Sequence, residues 1–103
     1  MIPTFDVIRT FEWDLEKAQL NFSKHGVTFE EAATVFGDFD ADIEDDLDHS
    51  RNEDRLIIIG MSARERILLT VYTIRHKDTV RIISSRRAEP SERETYENKI
   101  RHT

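Results

Sequence analysis

The chain has 103 residues, the size of one domain, and we expect residues 1–103 to fold as a single unit. It carries 15 Lys and Arg against 21 Asp and Glu, a net charge of -6. The absence of cysteine excludes disulfide scaffolds, thiolate metal sites and cysteine nucleophiles. No apolar run is long enough to span a membrane, and the N-terminus does not resemble a secretion signal. We therefore expect a cytoplasmic protein without membrane association.

The first part of the chain predicts a strand followed by two helices. Apolar residues alternate within 4–13, which indicates a strand there or in its second half. Asp14 is suited to cap a helix over 15–25, and Gly26 is suited to end it. Residues 28–31 match the capping box of a second, short helix. Together the two helices form a hairpin that can lie across one face of a sheet.

The rest of the chain predicts an acidic connection, three strands and a final helix. The connection covers 38–54, and seven carboxylates lie within its first eleven residues. The strand-like runs, joined by short turns into a meander, are 56–59, 66–74 and 79–85. A capping box at 91–94 predicts a helix over about 92–101. The predicted order is β-α-α-β-β-β-α, an α+β fold.

The sequence offers little support for a metal site or a nucleophilic serine. No histidine lies three or four residues from another, so a helical pair of ligands is excluded. Asp38, Asp40 and Asp42 resemble the start of a calcium loop, but Ile43 stands where that loop needs glycine. No Gly-x-Ser-x-Gly motif or glycine-rich phosphate loop occurs. We expect neither a metal nor a cofactor.

Basic side chains near the ends of the predicted elements are candidates for an anion site. They are Lys24, His25, Arg64, Arg66, Arg81, Arg86 and Arg87. Arginine forks match phosphate oxygens well. The alternative for each arginine is a solvated surface group or an ion pair with Glu30, Glu31, Glu92 or Glu94. The residues by themselves indicate a small α+β domain with a basic patch able to bind phosphate.

Several short motifs, in order and spacing, resemble the BrnT toxins over residues 9–98. The motifs are Phe11-Glu12-Trp13-Asp14, Lys17-Ala18, Asn21, Lys24-His25-Gly26-Val27, Phe29-Glu30-Glu31-Ala32, Phe36-Gly37-Asp38, Asp48-His49-Ser50, Arg81-Ile82-Ile83-Ser84, Arg86-Arg87-Ala88, Glu92-Arg93 and Tyr96-Glu97. Residues 1–10 extend beyond the usual start of the family's sequences, and residues 38–48 are more acidic than the sequence pattern of the family.

This resemblance implies a RelE-like fold, a small antiparallel sheet with helices packed on one face. It implies an endoribonuclease toxin of a type II toxin–antitoxin system that cleaves RNA and inhibits translation. It also implies a BrnA-like antitoxin that neutralises the toxin and represses the operon, and a larger toxin–antitoxin oligomer as a further assembly.

Nucleases similar to RelE use no metal: a ribose 2′-hydroxyl attacks the adjacent phosphate and the 5′-oxygen leaves. The reaction needs a proton acceptor, stabilisation of the phosphorane and a proton donor, tasks suited to His, Arg and Lys. The resemblance thus suggests a catalytic set of Lys24, His25, Arg81, Arg86, Arg87 and Tyr96. Arg64, Arg66 and Trp13 are the expected RNA contacts, with core packing beside Phe11 as the alternative for Trp13.

The sequence alone leaves two points open. Arg86 and Arg87 point to opposite faces of an extended strand, so both reach one pocket only if the chain turns there. A non-catalytic binding module, acting only as antitoxin partner and co-repressor, is the alternative function, and the acidic net charge favours it slightly. Incubation of the purified protein with RNA, with and without a chelator, separates the two functions.

Overall fold

The computed structural model describes residues 10–46 and 54–101. In chain order the elements are β1 (Thr10–Glu12), α1 (Leu15–His25), α2 (Phe29–Thr34), a 3-10 helix (Val35–Gly37), β2 (Asp42–Asp45), β3 (Arg55–Met61), β4 (Ile67–Arg75), β5 (Thr79–Arg87) and α3 (Pro90–Arg101). Residues 4–9 of the predicted first strand, and the Asp48-His49-Ser50 motif, lie outside the described residues. None of the described helices is long and apolar enough to cross a membrane.

Helix α1 begins and ends where its capping residues predict. The Asp14 carboxylate accepts a hydrogen bond from the backbone N–H of Lys17 at 3.0 Å. At the other end Gly26 adopts a left-handed conformation, φ 69°, and its N–H donates to the carbonyl of Phe22 at 2.8 Å. Glycine adopts this conformation without a steric penalty. The predicted span 15–25 is confirmed.

Only one of the two hydrogen bonds of the predicted capping box forms at helix α2. The Thr28 hydroxyl accepts from the backbone N–H of Glu31 at 3.0 Å. The Glu31 carboxylate does not return to Thr28; it accepts hydrogen bonds from Ser62 and Arg66 in the β3–β4 hairpin. The Glu31 side chain, which the sequence pattern assigns to the helix cap, therefore holds the distant β3–β4 turn against the helix.

The five strands form one sheet in the order β1-β5-β4-β3-β2. Strands β2 to β5 pair antiparallel, whereas β1 runs parallel to β5, so the sheet is mixed. Strand β2 lies inside the segment predicted to be an acidic connection and pairs with β3. The α+β class and the predicted order are confirmed, with β2 as an added strand.

The helices lie on both faces of the sheet, a difference from the expectation of one face. Helices α1 and α2 cover the face that carries Ile58, Leu68 and Tyr72. Tyr96 of α3 packs against Ile59 and Leu69 on the opposite face. The reason is that β3 and β4 are apolar on both faces, and a second apolar face also has to be shielded from water.

Helix α3 begins at Pro90, before the predicted Ser91 cap. The first helical hydrogen bond runs from the N–H of Arg93 to the carbonyl of Glu89. The carboxylate of Glu92 turns back to accept from the N–H of Glu89 at 2.8 Å. Proline is favoured at the first helical position because its missing N–H has no helical partner there. The prediction that Ser91 caps the helix is wrong.

Candidate functional site

Helix α3 leaves part of its sheet face uncovered, and a groove of about 420 Å³ opens there. We call it the His25–Arg86 groove. His25 reaches it from the end of α1, Arg86 from β5 and Glu92 from α3. The apolar part of its lining comes from Ile57, Leu69 and Val71. Two residues of the predicted catalytic set thus share one cavity although they are far apart in the sequence.

The polar side chain of Asn21 joins α1 to β5 beside this groove. The N–H of Ser85 donates to Asn21 Oδ1 at 3.0 Å, and Asn21 Nδ2 donates to the carbonyl of Ser85 at 2.8 Å. Asn21 is buried, and it lies one helical turn before His25. The end of α1 is thereby held against the strand that carries Arg86.

Arg86 is oriented by Glu92. Nη1 and Nη2 of Arg86 each donate to one carboxylate oxygen of Glu92 at 2.9 Å, and Nη1 also donates to the carbonyl of Arg87 at 3.2 Å. Hydrogen bonds between the pair raise the pKa of Arg86 and lower the pKa of Glu92. Within the described residues, Nε–H and one Nη2–H of Arg86 have no partner, and these two parallel donors fit a phosphate.

Three other predicted cations lie outside the groove lining. Lys24 is exposed in the last turn of α1. Arg87 is exposed, and its register opposite Leu68 places it on the face of α1 and α2. Arg81 is half-buried near the start of β5, with Nη1 3.8 Å from Oε1 of Glu12. These side chains can contribute charge around the groove but do not line it.

Arg66, an expected RNA contact, is held within the protein. Its guanidinium donates to both carboxylate oxygens of Glu31 and to the carbonyl of Gly26, the latter at 3.1 Å. Arg64 is 70% exposed and lies 3.9 Å from the same carboxylate. Hydrogen bonds from Arg66 lower the pKa of Glu31, and the carboxylate in turn raises the pKa of Arg66. The contacts give Arg66 a structural role and leave Arg64 free to meet a ligand.

Tyr96 and Trp13 are also engaged in packing. Tyr96 is 3% exposed, and its hydroxyl donates to Oδ2 of Asp38, which also accepts from the N–H of Met61. Burial raises the pKa of Tyr96, with a further contribution from Asp38. The ring of Trp13 packs edge-on to Phe29, with centroids 6.0 Å apart. The structure thus supports the core alternative for Trp13 and leaves Tyr96 outside the lining of the groove.

Two parts of the site were not assigned a role from the sequence. Asn21 appeared only as one motif position, and Glu92 only as one of four possible arginine partners. No sequence signal marks Asn21, because the large apolar residues of α1, Leu15, Leu20 and Phe22, are exposed and do not indicate its buried side. Within residues 10–46 and 54–101 no group of three or more His, Cys, Asp or Glu side chains is arranged to hold a metal ion.

Comparison with known proteins agrees with this architecture. A family model described as the ribonuclease toxin BrnT of type II toxin–antitoxin systems matches residues 13–92. The crystal structure of the Brucella abortus ribonuclease toxin BrnT is similar to the chain, with a TM-score of 0.61 and 23% identity. The match covers 78% of this chain and 96% of the Brucella chain, and at that identity it shows the fold. A search among curated proteins finds no significant match. Because the family model spans most of the chain, the protein belongs to the BrnT family of ribonuclease toxins of type II toxin–antitoxin systems.

Proposed function

We propose that the protein cleaves RNA in the His25–Arg86 groove without a metal ion. In this reaction a ribose 2′-hydroxyl attacks the adjacent phosphorus, and the bond to the 5′-oxygen breaks. The products are a 2′,3′-cyclic phosphate and a 5′-hydroxyl, and cleavage of messenger RNA inhibits translation. The observation that carries the proposal is that His25 and Arg86, a proton-transfer group and a phosphate ligand, line one cavity.

Arg86 is the group that we assign to the phosphate. Glu92 occupies one edge of its guanidinium, which fixes the plane of the side chain. The Nε–H and the second Nη2–H on the other edge match two oxygens of one phosphate. A donor held in place before the reaction stabilises the negative charge of the phosphorane without reorganising. Glu92 therefore acts as a positioning residue for Arg86.

His25 is the group that we assign to proton transfer. Its neutral imidazole accepts the proton of the attacking 2′-hydroxyl, and the leaving 5′-oxygen takes its proton from water. Lys24, Arg81 and Arg87 lie outside the lining of the groove, and we assign them to phosphates that flank the scissile bond. Arg64, exposed in the β3–β4 turn, is assigned to a more distant part of the RNA.

The partner that we propose is a BrnA-like antitoxin. Covering the His25–Arg86 groove is the most direct way to silence the toxin, because it blocks access of phosphate to Arg86. A larger oligomer of toxin and antitoxin is a further part of this proposal. The acidic segment that includes β2 lies along the edge of the sheet opposite β1, where it disfavours binding of RNA. Its last described residue, Asp46, nevertheless lines the groove.

The test uses purified protein and a short RNA in the presence of excess EDTA, with His25→Ala purified in parallel. We expect cleavage that persists in EDTA, a cyclic phosphate on the upstream product and no cleavage of the all-deoxy analogue. Cleavage that EDTA abolishes and Mg²⁺ restores would contradict metal independence. Equal rates for wild type and His25→Ala would indicate a contaminating nuclease or another site. No cleavage at all would favour the non-catalytic binding module.

A further inference from the structure

We propose that Asn21 is a positioning residue that sets the distance between His25 and Arg86; this inference rests on the function proposed above. The starting point is an incomplete edge of the sheet. Strand β1 pairs with β5 only over Thr79–Arg81. Within the described residues, the backbone of β5 beyond Arg81 has no strand neighbour on that side.

Asn21 takes the place of the missing neighbour at Ser85. Its amide accepts from the N–H and donates to the carbonyl of Ser85, at 3.0 and 2.8 Å. This is the pair of bonds that two residues exchange in an antiparallel ladder. The second Nδ2–H donates to the carbonyl of Val27 at 2.9 Å, so both amide donors are used. Asn21 is 7% exposed, and water has little access to replace these bonds.

This contact fixes both groups of the proposed reaction at once. Asn21 and His25 are four residues apart on α1, so they lie on the same face of the helix one turn apart. Ser85 precedes Arg86 on β5. The hydrogen bonds between Asn21 and Ser85 therefore lie one helical turn from His25 and one residue from Arg86.

His25 depends on the helix for its position. It makes no hydrogen bond or ion pair with any described side chain, so no polar partner holds its ring, and the backbone of α1 sets the point from which the side chain extends. Among the described residues, the hydrogen bonds of Asn21 are those that join α1 to β5. The contact of Arg66 with the carbonyl of Gly26 steadies the helix end but reaches α2 and not β5. A change at Asn21 consequently alters the spacing of His25 and Arg86.

Two substitutions remove the contact in different ways. Asn21→Ala removes all three hydrogen bonds. Asn21→Asp keeps the side-chain size and the acceptor for Ser85 but places oxygen against the carbonyls of Ser85 and Val27. We expect both variants to lower kcat about 10- to 100-fold, because small displacements of reacting groups have effects of that size. KM should change less than about 3-fold, since the cations that bind RNA remain in place.

A double-mutant cycle separates positioning from a general loss of structure. If Asn21 acts through His25, Asn21→Ala has little further effect on kcat in the His25→Ala background. The matched control is Thr28→Ala, which removes the cap of α2 but leaves the contact between α1 and β5 in place. We expect it to destabilise the fold by an amount similar to Asn21→Ala while kcat remains near the wild-type value.

The proposal is overturned if Asn21→Ala keeps the wild-type kcat, or if Thr28→Ala lowers kcat as much as Asn21→Ala does. It is also overturned if the reductions in kcat caused by Asn21→Ala and His25→Ala are fully additive in the double variant. NMR gives a readout that does not need catalysis. In Asn21→Ala the Ser85 amide should exchange faster and the ring resonances of His25 should shift. If the wild type fails to cleave RNA, the proposed function fails, and unchanged resonances in Asn21→Ala would separately reject the positioning role.

Discussion

Arg81 and Arg86 lie on the same face of β5 although they are five positions apart. Their partners on β4 are Thr73 and Leu69, which are only four positions apart, because the pairing of β4 and β5 contains a bulge. In a regular strand an odd separation places two side chains on opposite faces. The extra residue of the bulge reverses that alternation. Both arginines consequently lie on the face with the groove.

Replacement of Arg86 by alanine should abolish most of the ribonuclease activity. The loss of a fixed donor to the phosphorane is expected to lower kcat about 100- to 1000-fold. Arg86→Lys should recover little of it, because an ammonium group cannot bind Glu92 with two donors and present two others. Single-turnover cleavage of a short RNA measures the effect, and circular dichroism confirms the fold.

Arg87→Ala is the matched comparison, since the side chain is adjacent in sequence but lies on the opposite face of β5. We expect weaker RNA binding with kcat close to the wild-type value, because Arg87 is assigned to a flanking phosphate. Equal losses of kcat for Arg86→Ala and Arg87→Ala would contradict the placement of the reaction in the groove.

Arg66 and Arg64 should differ sharply in their effect on stability. Arg66→Ala leaves the buried carboxylate of Glu31 without its main partner, and we expect a loss of about 3 kcal/mol in the free energy of unfolding. Arg64→Ala removes an exposed side chain and should cost less than about 1 kcal/mol. Urea unfolding measures both values. A stable Arg66→Ala variant with impaired RNA binding would restore Arg66 as an RNA contact.

The stability of the fold should fall in acid through Glu31 and Glu92. Both carboxyl groups have a pKa below the ordinary value of 4.5 in the folded chain, because Arg66 and Arg86 donate hydrogen bonds to them. Their stabilisation is complete above the unfolded-state pKa and is lost as the pH falls through the lower folded-state pKa. Unfolding measured between about pH 3 and 6 should show this loss.

The Glu31→Gln variant provides the check on that assignment. Its stability should depend less steeply on pH than that of the wild type, since one carboxyl with a lowered pKa is gone. Glu94→Gln, at an exposed position of α3, serves as the control and should keep the wild-type slope. If the free energy of unfolding depends equally on pH in all three proteins, other groups cause the loss of stability in acid.

The antitoxin should shield the groove when it binds. At saturating antitoxin we expect cleavage to vanish and Lys24, Arg81 and Arg86 to become protected from lysine- and arginine-specific reagents. Lys77, exposed in the turn before β5, is the internal control and should stay reactive. A complex that still cleaves RNA at the wild-type rate, or one that protects only distant surfaces, would point to a different mode of inhibition.

Sequence patterns located the elements whose signals are local. The caps of α1 and the cap at Thr28 involve residues three or four positions apart, and these predictions agree with the structure. Strand β2 was not predicted, because Ile43 is its only apolar residue and its pairing with β3 is a distant contact. The position of α3 on the second face could not be predicted either, since it depends on which strands become neighbours.

The same limit applies to the site. His25 and Arg86 were singled out from the sequence, but their shared groove follows from the docking of α1 on β5. The hydrogen bonds between Asn21 and Ser85, and those between Arg66 and Glu31, cannot be predicted from local sequence patterns, because the partners are far apart along the chain. Residue type predicted the chemistry, and only the packed structure brings the side chains together.

Strand β2 has a consequence for how copies of this protein meet. Within the part of the chain that the structure describes, β2 ends the sheet, and three of its four residues are acidic. Two such edges brought together would place carboxylates of one copy beside those of the other, and this repulsion opposes strand-to-strand association. The negative charge of β2 thus protects an exposed edge against self-association and aggregation.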